Sequence, residues 1–353
     1  MWPRISIIWL NYNSGRIIEL VLKSLEAVAS LDYPSDRYEL IVVDNGSTDG
    51  SFEAVRDYLE KKGGLRKKVV RLEKNLGFTG GNNIGFRARD RDSEYVVLLN
   101  NDAIPFQDSL KAMVEHMEQF NYAALQGVIL KYGAKNIIDT AGDFHDEFFN
   151  SIPVGQGKPY PWIIRKPFYI TYADGSYSIY RVDAVRRCVG ERLFIDESFA
   201  YGDDNYLGLM FWNCGYRIVT IPVATAEHYR SGTFGKIHGI QWYLSVRNEI
   251  ALNVVANSRF KSLVNLYALK GFITPTVAKG GLWSLHLQAV RDGLRYGRKL
   301  RRKIGPIDIY KAPLVDLSVG EALSLLLMPR RVYAKTMEGK LGRIIEKYQA
   351  PSS

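Results

Sequence analysis

Several short polar clusters stand directly after runs of β-branched residues, and their side chains are of the kinds that hold cations, grip sugars and move protons. Asn11-Tyr12-Asn13 follows the run 5–10, Asp44-Asn45-Gly46-Ser47 follows 40–43, and Asn100-Asn101-Asp102 follows 95–99. NLGFTGGNNIGF, at 75–86, follows the run 69–72 and is rich in glycine, which lets backbone approach a ligand closely. Asp174-Gly175-Ser176, Asp203-Asp204 and His228 come later. A carboxylate and an imidazole together suit a divalent cation. Two adjacent carboxylates near Phe199, Tyr201 and Trp212 suit a general base, because burial and like charge raise a pKa. Each residue also has a plain structural reading. Asp102 is a metal ligand or the cap of the segment starting near Pro105, and Asp44 caps the next helix or binds. Asp203-Asp204 match the positive end of a helix. Asp174 is a turn residue or borders a sugar, and a lone histidine is more often structural than a ligand. Their order along the chain, more than any single residue, points to a site.

The elements that must position them alternate. Between the runs lie helical spacings such as Ile17, Ile18, Val21, Leu22, Leu25 and Val28, and a segment 51–62 that stops at Gly63-Gly64. Strands alternating with amphipathic helices predict βαβ units and a mostly parallel α/β sheet. Ligands bind such sheets beyond the carboxyl ends of the strands, where the polar clusters stand. The glycine-rich stretch reads as a loop near the ligand, but it lacks the G-x-G-x-x-G order and follows the third run, which disfavours a dinucleotide-binding fold. Residues 131–170 carry no assignable pattern. A strand is expected at 168–172, a short helix at 182–188, a helix opening at Asp203-Asp204 and stopping near Gly215, and a strand at 216–221. From 240 onward the pattern is helical.

The chain has 353 residues, 46% hydrophobic, with a net charge of +10. That is enough for a large core and for one large domain with an appendage. The positive charge suits an anionic partner: nucleic acid, an acidic membrane or phosphorylated small molecules. Cys188 and Cys214 are the only cysteines, in no metal-ligand spacing, so neither a zinc site nor a disulfide framework is expected. The first residues read as a strand and not as a secretory leader. No segment offers the ~20 apolar residues of a spanning helix.

These motifs resemble glycosyltransferase family 2, over about residues 3–250. Residues 5–13 are similar to the family's "SIIIPNYN" strand, and VVDNGSTDGS at 42–51 resembles its second-strand signature. NLGFTGGNNIG resembles its N-x-G-x-x-x-A-R-N-x-G segment. LLNNDAIP resembles a rhamnosyltransferase-like branch in which the D-x-D motif reads N-N-D. The stretch 182–218 looks like "vGgFDExFFxyxEDvDLcxRaxxxGYrI", His228 with Gly232-Thr233 like "H-x-x-G-x-S", and residues 242–248 like the "Y-x-x-R-N" helix. Asn82, Tyr206 and Met210 depart from the common pattern.

The resemblance implies a GT-A type α/β fold in a catalytic domain at 1–250, with a helical, basic region at 251–353. It implies an inverting transfer from a nucleoside-diphosphate sugar. Asp204 inherits the base, with Asp203 beside it, and Asp102 and His228 the divalent cation, Mg2+ or Mn2+. Asn11, Asn13, Asp44, Asn82, Asn83, Asn100, Asn101 and Asp174 fall to the donor. The resemblance places Asp44 at the nucleobase, where an aspartate accepting from an imide N–H favours uridine or thymidine diphosphate. The acceptor expected is a glycan or a polyprenyl-phosphate-linked saccharide. Trp283, Leu287, Val290 and Leu294 form one helical stripe flanked by Arg291, Arg295, Arg298, Lys299, Arg301, Arg302 and Lys303. Lys270 and Lys279 interrupt the most apolar part. That pattern predicts either a peripheral contact on the cytoplasmic face of the membrane or a packing element. A basic nucleic-acid binder would not need carboxylates after successive strands. A silent scaffold would have lost Asp204 or Asp102, and a sugar nucleotidyltransferase would carry a glycine- and arginine-rich loop after its first strand.

Overall fold

The computed structural model describes residues 1–230, 238–263, 266, 281–327 and 330–351. Strands β1 (Ile5–Asn11), β2 (Tyr38–Asp44), β3 (Lys67–Arg71) and β4 (Tyr95–Asn100) alternate with helices α1 (Ile18–Ala29), α2 (Ser51–Lys61) and α3 (Gly77–Ala88). Next come β5 (Ala103–Pro105), α4 (Ser109–Gln119) and β6 (Tyr122–Lys131), then β7 (Ile138–Thr140), β8 (Asp143–Asp146), β9 (Ser151–Pro153) and β10 (Phe168–Tyr169). The chain continues through β11 (Tyr177–Arg181), α5 (Val182–Cys188), α6 (Asp203–Asn213), β12 (Arg217–His228) and α7 (His238–Val255). It closes with α8 (Trp283–Ile304), β13 (Leu314–Val315), α9 (Val319–Leu327), α10 (Arg330–Glu338) and α11 (Leu341–Lys347).

The main sheet runs β10-β12-β6-β11-β4-β1-β2-β3, with β5 and β7 attached to β12 and β6. β1, β2, β3 and β4 pair in parallel, while β11 is antiparallel between β4 and β6. β1, β2 and β4 are covered on both faces, which is why they read as continuous apolar runs without alternation. The glycine-rich stretch is mostly helix, not loop. A Cβ at Gly85 would stand 2.4 Å from Ile8 Cγ2, so this glycine lets α3 lie close on β1.

The unassigned stretch 131–170 holds β7 to β10. β8 pairs with β9 and also with β13, a strand from far along the chain, in a second small sheet. The strand expected at 168–172 is only the two residues of β10, while β12 runs on from the expected 216–221 to His228. The expected boundary between 250 and 251 falls inside α7. Beyond it the chain packs back onto the elements that precede it. α8 lies on α7 with Gly293 against the Arg247 carbonyl, and Ala350 N donates to Pro167 O at 2.9 Å. Leu314, Leu341 and Ile345 share one buried cluster with Ile8, Phe86 and Leu98. Cys188 and Cys214 are free thiols, yet they lie against each other where α5 ends and α6 is capped. Ser231, Gly232, Thr233, Lys270 and Lys279 lie outside the described residues.

Candidate functional site

β1 and β2 end level, with Asn11 beside Asp44, and Leu10 of β1 stands beside Asn100 of β4. Asn11 is fully buried at the junction. Its Nδ2 donates to Asp44 Oδ1 at 2.8 Å, and its Oδ1 accepts from Asn101 Nδ2 at 3.1 Å. Asp44 has no exposed surface, and its Oδ2 accepts from the Ser47 N–H at 3.0 Å. Asn13 accepts from the Thr48 N–H at 2.8 Å, tying β1 to the same turn. Direct contact between Asp44 and a nucleobase would require this cover to open. In this geometry Asp44 shapes the Asn45-Gly46-Ser47 turn. Asn82 turns inward to the Phe78 carbonyl, 2.9 Å away on its own helix. Asn83 acts at longer range. Its Oδ1 accepts from the Leu193 and Phe194 N–H groups and its Nδ2 donates to Asp196 Oδ1 at 2.7 Å, which staples α3 to the loop before α6. Asn100 keeps a half-buried side chain at the sheet edge, and its N–H donates to Ser176 O at 3.0 Å.

Asp102 and His228 come together through the short β5–β12 pairing, which sets His228 opposite Ala103. His228 Nε2 lies 3.2 Å from Asp102 Oδ1, and its Nδ1 lies 3.0 Å from Asp139 Oδ2. Burial works against a charged imidazole here, but the hydrogen bonds to the two carboxylates outweigh it and push its pKa up to about 9. Asp139 also pairs with Arg230 at 2.9 Å, and Arg230 reaches Asp174 at 3.5 Å. Among the described residues no group of three or more His, Cys, Asp or Glu side chains converges as a cation site. The donor set still fits a divalent ion completed by a ligand's own oxygens. One carboxylate and one imidazole face each other, and the imidazole's far nitrogen is held by a carboxylate, as ligating histidines usually are.

Asp203 and Asp204 open α6, as expected. Burial, with Asp174 nearby, raises the Asp203 carboxyl to about 7. Asp204 is pushed well above the ordinary range by burial first, then by the charges of Asp203 and Asp174. Asp204 as a residue keeps some exposure, but its Oδ1 is enclosed and has no hydrogen-bond partner, while Oδ2 accepts from the Gly175 N–H at 3.3 Å. Gln126 Nε2 and Ser176 Oγ are likewise enclosed without partners, and the Asp174 N–H donates to Gln126 Oε1 at 2.7 Å. Orphaned buried polar atoms are rare, so a group of them around Asp174 marks a place built for something other than packing.

The approach to Asp203 is strained. Phe199 and Tyr201 sit at φ of 66° and 65°, a region non-glycine residues seldom adopt. Asn248 holds this loop, its Nδ2 donating to the carbonyls of Ser198, Ala200 and Tyr201 at 3.1, 2.9 and 2.5 Å. Arg247 donates to the carbonyls of Glu197 and Ser198 at 3.0 and 2.6 Å. The Arg-Asn pair is a support for the carboxylates, one helix away in space and about 45 positions on in sequence. Sequence reasoning missed Asp139, Gln126 and Arg230. Asp139 and Gln126 had no visible signal, one within an unassigned stretch and the other within a strand. Arg230 follows His228 closely, and that spacing alone was legible.

The family model for glycosyl transferase family 2 matches residues 6–188, just over half of the chain. The chain belongs to glycosyl transferase family 2. This glycosyltransferase is 22% identical over 240 residues to a Methanococcus voltae dolichyl N-acetyl-alpha-D-glucosaminyl phosphate 3-beta-D-2,3-diacetamido-2,3-dideoxy-beta-D-glucuronosyltransferase. That match covers 66% of this chain and 68% of the relative. Two further curated relatives are matched over only 50% and 18% of their own length, so this chain spans half or less of each. Two solved structures share the fold. The mannosyltransferase PcManGT of Pyrobaculum calidifontis, in complex with GDP-Man and Mn2+, aligns over 98% of this glycosyltransferase and 86% of its own chain. Its TM-score is 0.52 at 18% identity. Staphylococcus aureus TarS 1-349 with UDP-GlcNAc aligns over 96% and 92%, with TM-score 0.52 at 17% identity. The fold is the expected GT-A type, with a helical C-terminal region.

Proposed function

We propose that this glycosyltransferase moves a sugar from a nucleoside diphosphate to an acceptor hydroxyl by single displacement with inversion, using Asp204 as the base. The observation that carries this reading is Asp204 Oδ1, an enclosed, unpartnered carboxylate oxygen, on a side chain that burial first and then the charges of Asp203 and Asp174 make hold a proton more tightly than an ordinary aspartate. Asp204 takes the proton of the acceptor hydroxyl as that oxygen bonds to the anomeric carbon and the bond to the diphosphate breaks. Asp102 and His228 are the residues that would hold a divalent cation. When bound, such a cation supplies positive charge to offset the departing diphosphate. The Mn2+ in the mannosyltransferase structure supports that part. Asn83, Arg247 and Asn248 orient the loop that carries Asp203 and Asp204. Asn11, Asn13, Asp44, Asn100 and Asn101 shape the sheet edge on which the donor lies. The solved likenesses carry UDP-GlcNAc in one case and GDP-Man in the other.

The acceptor class we favour is a glycan or a lipid-phosphate-linked saccharide, in keeping with the dolichyl phosphate in the archaeal relative's name. A surface feature agrees with a lipid. α8 turns His286, Ala289, Gly293 and Gly297 inward, leaving Trp283 46% and Leu287 39% exposed. Arg295, Arg298, Lys299, Arg302 and Lys303 line one groove on the same helix. No helix of the described residues is long and apolar enough to cross a membrane, so the contact proposed is peripheral.

Calorimetry with UDP and GDP, each with Mn2+ and then with chelator, tests the donor and the cation. Binding of one diphosphate that strengthens with Mn2+ is expected. Binding that ignores chelator would remove the cation, and no binding of either diphosphate would remove the donor class.

A further inference from the structure

A cavity of about 570 Å³ lies between the start of α6, α7 and the C-terminal α10, within the ~300–1,000 Å³ range of small-molecule sites. Gly202 and Asn205, which bracket Asp203 and Asp204, form part of its wall. Tyr172 and Ser151 form another part. Their hydroxyls are hydrogen-bonded to each other, and Ser151 Oγ donates to Asp143 Oδ1 at 2.8 Å. Asp143 is one of the charges that act on Asp204. The cavity thus lies beside the helix start that carries the two carboxylates, and no described residue of β1 or β2 forms part of its wall.

We infer that this cavity binds the saccharide portion of the acceptor, with α10 as a specificity wall. The inference rests on the transfer reaction proposed above. Its chemistry selects against the other ligands of such a reaction. Among the described residues Lys335 is the one cation of the lining, and Glu338 already pairs with Lys158, so a diphosphate would find a single lysine to offset its charge. A wholly apolar ligand would leave Asn205, Ser245 and Lys335 without partners on burial. A neutral saccharide satisfies both constraints. Its C–H faces pack on the rings of Tyr172 and Tyr201, and its hydroxyls pair with an amide that both donates and accepts. Because Lys335 and Tyr333 come from α10, the region beyond 330 contributes to acceptor choice while the donor motifs lie before 230.

Saturation-transfer NMR on the full chain tests this, with methyl glycosides of glucose, galactose, mannose, N-acetylglucosamine and rhamnose as probes and UDP and GDP as donor-site probes. At least one glycoside should bind, and it should stay bound at saturating nucleotide. Asn205→Ala and Lys335→Ala should each weaken it about five-fold, as loss of one hydrogen bond does. Ser245→Trp, which fills the cavity, should abolish it. Should that variant not fold, the two alanine variants decide. No glycoside binding while a nucleotide binds would overturn the inference and leave the donor reading intact. Displacement of the glycoside by nucleotide, or indifference to the alanine variants, would also overturn it. Failure of both nucleotides to bind would take down the donor reading, and this inference with it.

Discussion

His228 Nδ1 lies 3.0 Å from Asp139 Oδ2, and this contact turns Nε2 toward Asp102. Asp139→Asn should therefore weaken Mn2+ binding in the presence of nucleoside diphosphate by about 10–100-fold, the usual effect of removing a ligating histidine's support. Asp102→Ala should remove it altogether. Calorimetric titration of Mn2+ checks both. Equal affinities in Asp139→Asn and wild type would reduce Asp139 to a partner of Arg230.

The same contact has a pH signature in the metal-free protein. A histidine raised to about 9 stabilises the fold fully below the ~6.5 of an unfolded histidine, and that contribution is lost as pH rises through about 9. Melting temperature should fall more steeply between those values in wild type than in His228→Gln. Parallel curves would mean that the imidazole carries no charge there.

Asp204→Asn should keep the fold and nucleotide binding and lower transfer by about 10²–10⁴. A base must be ionised to act, so the rate should drop as pH falls through a pKa raised above the ~3.9 of an ordinary aspartate. Removing the neighbouring charge in Asp203→Asn should move that acid limb to lower pH. A pH–rate profile with its limb near 4 in wild type would contradict the assignment, as would near-normal turnover in Asp204→Asn.

Asn248 holds carbonyls across a loop with two left-handed non-glycine residues. Asn248→Ala should cost about 1–3 kcal/mol of stability through buried carbonyls left without donors. It should also lower kcat while nucleotide affinity holds, since the donor edge proposed at β1 and β2 is not part of this loop. Denaturant unfolding and steady-state kinetics measure the two effects separately. A loss of stability without a loss of kcat would make Asn248 purely structural.

The 353-residue chain should float with anionic vesicles at low salt. Arg295→Glu, Arg298→Glu and Arg302→Glu together should release it, each basic residue near such a surface being worth about 1 kcal/mol. Substitution is the sound test, because truncation before Ser262 would delete Leu314 and Ile345 from the shared core. Sedimentation of wild type away from anionic lipid would leave α8 as a packing helix.

The amino-acid sequence by itself determined the parallel βαβ half, because β1, β2 and β4 are apolar throughout and punctuated by polar ends. It determined the two carboxylates at the start of α6 and the companionship of Asp102 with His228, since motif order survives in the chain. It did not determine what Asp44 and Asn83 touch. Their types suggested ligand binding, whereas their partners are Ser47, Asn11 and a loop more than 100 residues away. Tertiary structure alone decided the role of Asp139, the closeness of Cys188 to Cys214, and the return of the C-terminal chain to β10 through Tyr348 and Ala350. The physical reason is common to all of these. Periodicity and local motifs record which residues are buried and where an element ends, but a hydrogen bond between distant segments depends on sheet order and on short strands such as β5 and β8. Those strands are too brief to leave a pattern, and their partners are chosen only when the whole core closes.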